Sequence, residues 1–270
     1  MPAAPMSQDT LTQQYKGAAN LEARVGLHER FSTNSYGWHR WVFDQIVLPD
    51  DAQILEVGCG IGRLWYENRE RIPPTWRVTL SDFSPGMLAK TQQNTVGIAA
   101  IAAYEVADVA RLSYAEATFD AVIANHMLYY LNESEDRARV FADLARLLKP
   151  GGTLYAATNG LAHMRELVDL VHEYDATIPF VSAIVEHFCL EHAPDELRAV
   201  FPHVDVTHYA DGMIVTEVET LVEYVLSMST VFDRAAAEKA SLEAHIRTHF
   251  AALGGTMLIG KDSGLIRARR

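Results

Sequence analysis

A chain of 270 residues, 49% hydrophobic and 21% charged, has the make-up of a soluble globular protein, one large domain or one core with an accessory, and not of a disordered tail, a collagen or a low-complexity repeat. Its 23 Lys+Arg against 35 Asp+Glu, a formal charge of −12, oppose long-range attraction to a polynucleotide, whose binding draws mainly on phosphate contacts. Two cysteines, Cys59 and Cys189, make no disulfide framework, so a cytoplasmic location is expected; no apolar run nears the ~20 residues that span a bilayer, and the polar N-terminus lacks the basic start and apolar stretch of a signal peptide.

In chain order, residues 1–20 are small and polar and read as a flexible arm. From Leu21 to Ile46 the pattern is helical, with Trp38, Trp41, Val42 and Ile46 recurring on one face. Short apolar runs then alternate with helical segments, which is how parallel strands joined by crossover helices read. The strands fit Gln53–Val57, Arg77–Ser81, Ala102–Val106, Phe119–Ala124 and Thr153–Ala157. Pro73-Pro74 stops the helix after the first strand, and Ser84-Pro85 supplies a serine cap with proline in the first helical position. Glu133–Leu148 is an amphipathic helix closed by Lys149-Pro-Gly-Gly.

Residues 160–200 hold short helical stretches, Met164–His172 and Asp195–Val200, and read as a substrate lid. A sixth strand fits Val204–Tyr209, helices fit Glu217–Met228 and Arg234–Phe250, and Thr256–Ile259, a turn at Gly260–Gly264 and Leu265–Arg267 read as a closing hairpin. One doubly wound α/β domain over 21–270, with N-terminal helices and a helical lid insertion, fits this order.

The most informative stretch is Ile54-Leu-Glu-Val-Gly-Cys-Gly-Ile-Gly62. Glycines between a strand and a helix let backbone approach a ligand closely. A dinucleotide fingerprint would place its last glycine where Arg63 stands, and Glu56 would repel a pyrophosphate, so an oxidoreductase on a dinucleotide is disfavoured. Asp82 ends the second strand, where a carboxylate can accept both hydroxyls of a ribose. Asp108 follows the third strand and could take an exocyclic amine, or simply cap its own loop. Three acids at three successive strand ends suit a nucleoside that carries positive charge.

Glu56–Gly62, Asp82, Asp108, Phe119–Asn125 and Leu147-Leu-Lys-Pro-Gly-Gly-Thr153 resemble the ordered motifs of class I S-adenosylmethionine-dependent methyltransferases, closest to bacterial small-molecule types. The resemblance covers roughly Asp50–Asn159, and His28–Asn34 with Trp38–Gln45 is similar to the N-terminal helices of those enzymes. It implies a mostly parallel, seven-stranded, Rossmann-like sheet whose last strand is antiparallel. It also implies S-adenosyl-L-methionine as co-substrate, with Glu56 and Gly58 near its methionine end, Gly60 among the residues that bind it, Asp82 on the ribose, Asp108 on adenine, and Phe83 and Val109 flanking the ring. The family often has a histidine where this chain has Tyr130.

Methyl transfer from a sulfonium is an in-line displacement from an activated donor, so the protein aligns the acceptor, excludes water and, if needed, removes a proton. Asn125-His-Met-Leu-Tyr-Tyr follows the fourth strand. Asn125 could bind the amino-acid end of the donor, and His126 is the candidate base, since an imidazole titrates near ~6.5. Tyr129 and Tyr130 could line the acceptor pocket or merely pack. Tyr15, Arg24 and His28 could close over the donor. His163, His172, His187 and His192 lack zinc-site spacing and read as solvated lid residues, so no metal is expected.

The expected activity is methylation of a small-molecule acceptor. An RNA methyltransferase is opposed by the charge, and by Asn125-His-Met-Leu standing where such enzymes carry Asn/Asp/Ser-Pro-Pro-Tyr; a non-catalytic S-adenosylmethionine-binding protein stays open. No membrane partner is expected, and the N-terminal helices offer a surface for a homodimer.

Overall fold

The computed structural model describes residues 18–131, 133–180, 185–228, 231 and 234–270. The arm expected over 1–20 falls largely on residues outside this set, and helix α1 runs Ala18–Phe31. The second N-terminal helix, α2 (Trp38–Gln45), follows Gly37, whose φ of 88° suits a residue without a Cβ.

Seven strands form one sheet in the order β3-β2-β1-β4-β5-β7-β6. They are β1 (Gln53–Val57), β2 (Arg77–Asp82), β3 (Ile101–Val106), β4 (Phe119–Asn125), β5 (Leu148–Asn159), β6 (His203–Val215) and β7 (Met257–Arg269). β1 to β5 are parallel and β7 runs antiparallel to β5. α3 (Arg63–Tyr66), α4 (Pro85–Asn94) and α5 (Ser134–Leu147) follow β1, β2 and β4. Ser84 caps α4, accepting from Met87 N at 3.4 Å, with proline in the first turn as the Ser-Pro pair predicts.

The chain forms two compact units. The larger holds 36–160, 187–209 and 263–270. Strand residues there alternate between two apolar layers, as period-two side chains must. Leu55, Val57, Val122 and Ala124 join one layer with Phe141 and Leu144 of α5, while Ile54, Ala121 and Ile123 join the other with Val42, Leu64 and Trp65. Glu56 and Asn125 fall by alternation on the second face.

The other unit holds the chain to Ser35, Leu161–Glu186 and Ala210–Asp262. Its core is built by α1, α6 (Arg165–Tyr174), α8 (Val218–Leu226) and α9 (Ala236–Ala252) through Leu27, Leu167, Val171, Leu221, Val225 and Ile246. A buried Asp211 there pairs with Lys261 and accepts from Ser32 Oγ at 2.7 Å and Asn34 N at 3.0 Å.

Two expectations are corrected. The closing hairpin does not form: β7 is one continuous strand. Ser263 and Gly264 stay extended, paired with Asn159 and Thr158, and a Cβ at Gly264 would lie 2.9 Å from Thr207 O. That glycine serves close packing, not a turn. The 160–200 segment is also not one piece. Leu161–Glu186 belong to one unit and the residues from His187 to the other, and Leu167, Val171, Phe188 and Leu197 are core residues. The short helix α7 (Ala193–Arg198) lies in its second part.

Candidate active site

The carboxyl ends of β1, β2, β3 and β4 are neighbours at one edge of the sheet, and the order reverses direction between β1 and β4. Ligands of open α/β sheets bind at such a place. Ten residues singled out from the sequence, Glu56, Gly58, Gly60, Asp82, Phe83, Asp108, Val109, Asn125, His126 and Tyr129, follow or end these four strands within the larger unit.

The loop after β1 is held from below and from the side. Gly58, Gly60 and Gly62 all take left-handed φ values of 65°, 57° and 78°, a conformation that costs other residues about 1–2 kcal/mol. Asn94 Nδ2 donates to Ile61 O at 2.9 Å and Thr91 Oγ1 to Gly60 O at 2.6 Å, both from α4. A Cβ at Gly62 would meet Thr91 Cγ2 at 2.9 Å, and one at Gly58 would meet Met127 Cγ at 2.9 Å. At Gly60 a Cβ would meet nothing within 4 Å, so the loop opens into free space at its middle glycine.

Asp82 ties that loop to β2. Its Oδ2 accepts from Gly60 N and its Oδ1 from Ser84 N, both at 2.8 Å. Burial pushes this carboxyl up in pKa, and the Ser84 and Gly60 amides only partly offset the shift. Each carboxylate oxygen has a second lone pair, so two hydroxyls can still be accepted. Phe83, the next residue, is 47% exposed, which makes it a free aromatic face. Asp108 Oδ1 accepts from Ala110 N at 2.9 Å and caps the 3-10 turn Val109–Arg111. The capping role weighed for it is therefore met, with Val109 half-buried at the start of that turn.

Glu56 is 2% exposed and accepts from Trp65 Nε1 at 2.6 Å. Burial drives its pKa to about 7, against the Trp65 donor and with help from the negative charge of Asp82. A buried carboxylate of this kind favours a cation brought in by a ligand.

At the end of β4, Asn125 Oδ1 accepts from Trp38 Nε1 at 3.1 Å. His126 has a left-handed φ of 55°, unusual for a residue with a Cβ, and its N–H donates to Ala157 O at 3.1 Å. Its ring lies 4.8 Å from the Trp38 ring and 6.3 Å from that of Tyr129. Tyr129 and Tyr130, ring centroids 4.8 Å apart, sit on the 3-10 turn Leu128–Tyr130.

Other candidates are not brought to this edge. Tyr15 and the side chain of Arg24 lie outside the described residues. His28 belongs to the smaller unit, with its ring 5.9 Å from Tyr224 and 6.5 Å from His163. His163 is buried, not solvated, and its Nδ1 accepts from Asp262 N at 3.2 Å. His172 Nε2 lies 3.1 Å from Ile178 O, and His192 Nδ1 3.2 Å from Glu196 Oε1. No cluster of three or more His, Cys, Asp or Glu placed to hold a metal occurs among the described residues. Trp38, Trp65, Thr91 and Met127 were not singled out for the site from the sequence. A tryptophan on an amphipathic helix reads as packing, and nothing local marks which acceptor its N–H will find.

Residues 54–152 match the methyltransferase domain family. The chain is 34% identical over 127 residues to the malonyl-[acyl-carrier protein] O-methyltransferase of Hahella chejuensis, covering 47% of this chain and 43% of that protein. It is 32% identical over 115 residues to a ubiquinone/menaquinone biosynthesis C-methyltransferase of Desulfotalea psychrophila, covering 43% and 44%. These matches thus span less than half the length of either relative. The structure of Haemonchus contortus phosphoethanolamine N-methyltransferase 2, in complex with phosphomonomethylethanolamine and S-adenosylhomocysteine, superposes with a TM-score of 0.60 at 17% identity, covering 100% of this chain and 61% of that one. The open cradle at Gly60 and the buried Glu56 carboxylate fit a cationic nucleoside such as S-adenosylmethionine. Across residues 54–152 the chain is thus similar to a methyltransferase domain, set in a seven-stranded sheet of order β3-β2-β1-β4-β5-β7-β6.

Proposed function

We propose that this protein transfers the methyl group of S-adenosylmethionine to a small-molecule acceptor by in-line displacement. The observation that carries the reading is the set of acids at adjacent carboxyl ends, Glu56, Asp82 and Asp108, around a glycine loop open at Gly60. When bound, the donor supplies a methyl group already activated on a positive sulfur. Asp82 accepts the ribose hydroxyls, Phe83 and Val109 flank the adenine, and Asp108 takes its exocyclic amine. Glu56, Gly58 and Gly60 hold the methionine end, whose ammonium offsets the buried Glu56 charge, and Asn125 binds the same end from β4. His126 takes the proton of an acceptor that must lose one, at its imidazole nitrogen, and Tyr129 lines the acceptor side.

A small acceptor is supported by the names of the relatives and by the charge of −12. No described helix is long and apolar enough to cross a membrane. The test is incubation of purified protein with methyl-labelled S-adenosylmethionine and fractionated bacterial extract. Label in the small-molecule fraction supports the proposal; label in RNA, or no transfer despite donor binding, overturns the acceptor class or the activity.

A further inference from the structure

Asn125 is the last residue of β4, one step beyond the Ala124–Val57 register pair, which sets it beside the first glycine of the loop. An asparagine amide offers one acceptor and two donors, and its usefulness to a ligand depends on which end it presents. Here Oδ1 is taken by Trp38 Nε1 at 3.1 Å. An indole N–H can only donate, so this bond fixes the amide with its carbonyl toward α2 and leaves the NH2 group as the end that can be offered elsewhere. Trp38 is itself held, its ring 5.2 Å from Trp41 and 5.3 Å from Tyr209. The same ring lies 4.8 Å from His126, whose left-handed backbone follows Asn125 directly.

We infer that Trp38 is a positioning residue that orients Asn125 to donate to the carboxylate of the donor's amino-acid end. The inference deepens the donor reading above and rests on it. A carboxylate can accept from the amide NH2 group, whereas the donor's ammonium has no acceptor and would be met by a second donor. Glu56 and Asn125, which share a face of the sheet by alternation, would then divide the amino-acid end between them, one meeting the ammonium and the other the carboxylate.

Trp38→Phe keeps a ring in the aromatic cluster and deletes the N–H. Isothermal titration of the full chain compares S-adenosylhomocysteine with 5′-methylthioadenosine, which keeps the nucleoside and sulfur but lacks the amino-acid end. The variant is expected to bind S-adenosylhomocysteine about five- to tenfold more weakly, the scale of one lost hydrogen bond, and 5′-methylthioadenosine within about twofold of the parent. In an Asn125→Ala background the Trp38 change should cost nothing further, because its effect passes through that amide. Asn125→Asp keeps an acceptor for Trp38 but puts a negative charge against the carboxylate, and should weaken S-adenosylhomocysteine alone. Equal weakening of both ligands in Trp38→Phe, or unchanged binding of S-adenosylhomocysteine, overturns the positioning role while leaving the donor site standing. Parent protein that binds neither ligand overturns the donor reading and this inference with it.

Discussion

Glu56→Gln tests the electrostatics of the glycine loop most directly. The carboxyl is raised from an ordinary 4.5 to about 7, chiefly by burial, so the folded protein holds a proton there that the unfolded chain has already released. Between pH 4.5 and 7 the folded state binds more protons, and stability falls as pH rises. The contribution is fully present below pH 4.5 and lost once pH passes 7. A shift of about 2.5 units corresponds to about 3 kcal/mol. Glutamine imitates the protonated acid at every pH and still offers Trp65 an acceptor. The variant should therefore match the parent near pH 4.5 and exceed it by about 3 kcal/mol at pH 8, which at 2–4 °C per kcal/mol is a rise in Tm of roughly 6–12 °C. Thermal melts of both proteins without ligand, at half-unit steps from pH 4.5 to 8.5, read this out. Curves that stay parallel across that range would refute the claim that burial raises the Glu56 carboxyl despite its hydrogen bond from Trp65. The same variant should gain less Tm from S-adenosylhomocysteine than the parent does at pH 8, since the ligand's ammonium has lost its counter-charge.

Asp82→Ala removes the acceptor for Gly60 N and Ser84 N together with the proposed ribose contact, and should raise the dissociation constant for S-adenosylhomocysteine by roughly tenfold or more; unchanged titration would remove the ribose assignment. His126→Ala should lower kcat at constant donor affinity and abolish the acid limb of the pH–rate profile, and a retained limb would exclude His126 as the base. Deleting 160–200 should leave the protein unable to fold, because Leu167, Val171, Phe188 and Leu197 leave two apolar cores; a cooperative melt in the truncated chain would contradict that packing.

Much of the donor side was legible in the sequence because it is written in local chemistry. Glycines at alternate positions after a strand mark a backbone that must turn left-handed, and Gly58, Gly60 and Gly62 do so. Ser84-Pro85 announces a helix start with its own cap. The candidate contacts fall at successive strand ends, and parallel topology gathers strand ends at one edge whatever lies between them. The acceptor side was less legible, since it depends on residues whose partners are distant. His163 and His28 read alike as polar lid or helix residues, yet both lie in the smaller unit, where the His28 ring packs between those of His163 and Tyr224.

The sequence by itself determined the strand series, the glycine loop, the cap of α4 and the acidic positions, because each depends on backbone dihedrals or periodicity within a few residues. Tertiary structure decided the rest. Gly260 to Gly264 has the composition of a turn but runs on as strand, with Ser263 and Gly264 paired to β5 and Gly264 crowded against Thr207 O. Residues 160–200 look like one insertion but are divided because their apolar faces meet different cores. The direction in which Asn125 points is set by an indole 87 residues away, and a side-chain amide carries no preference of its own until such a partner arrives.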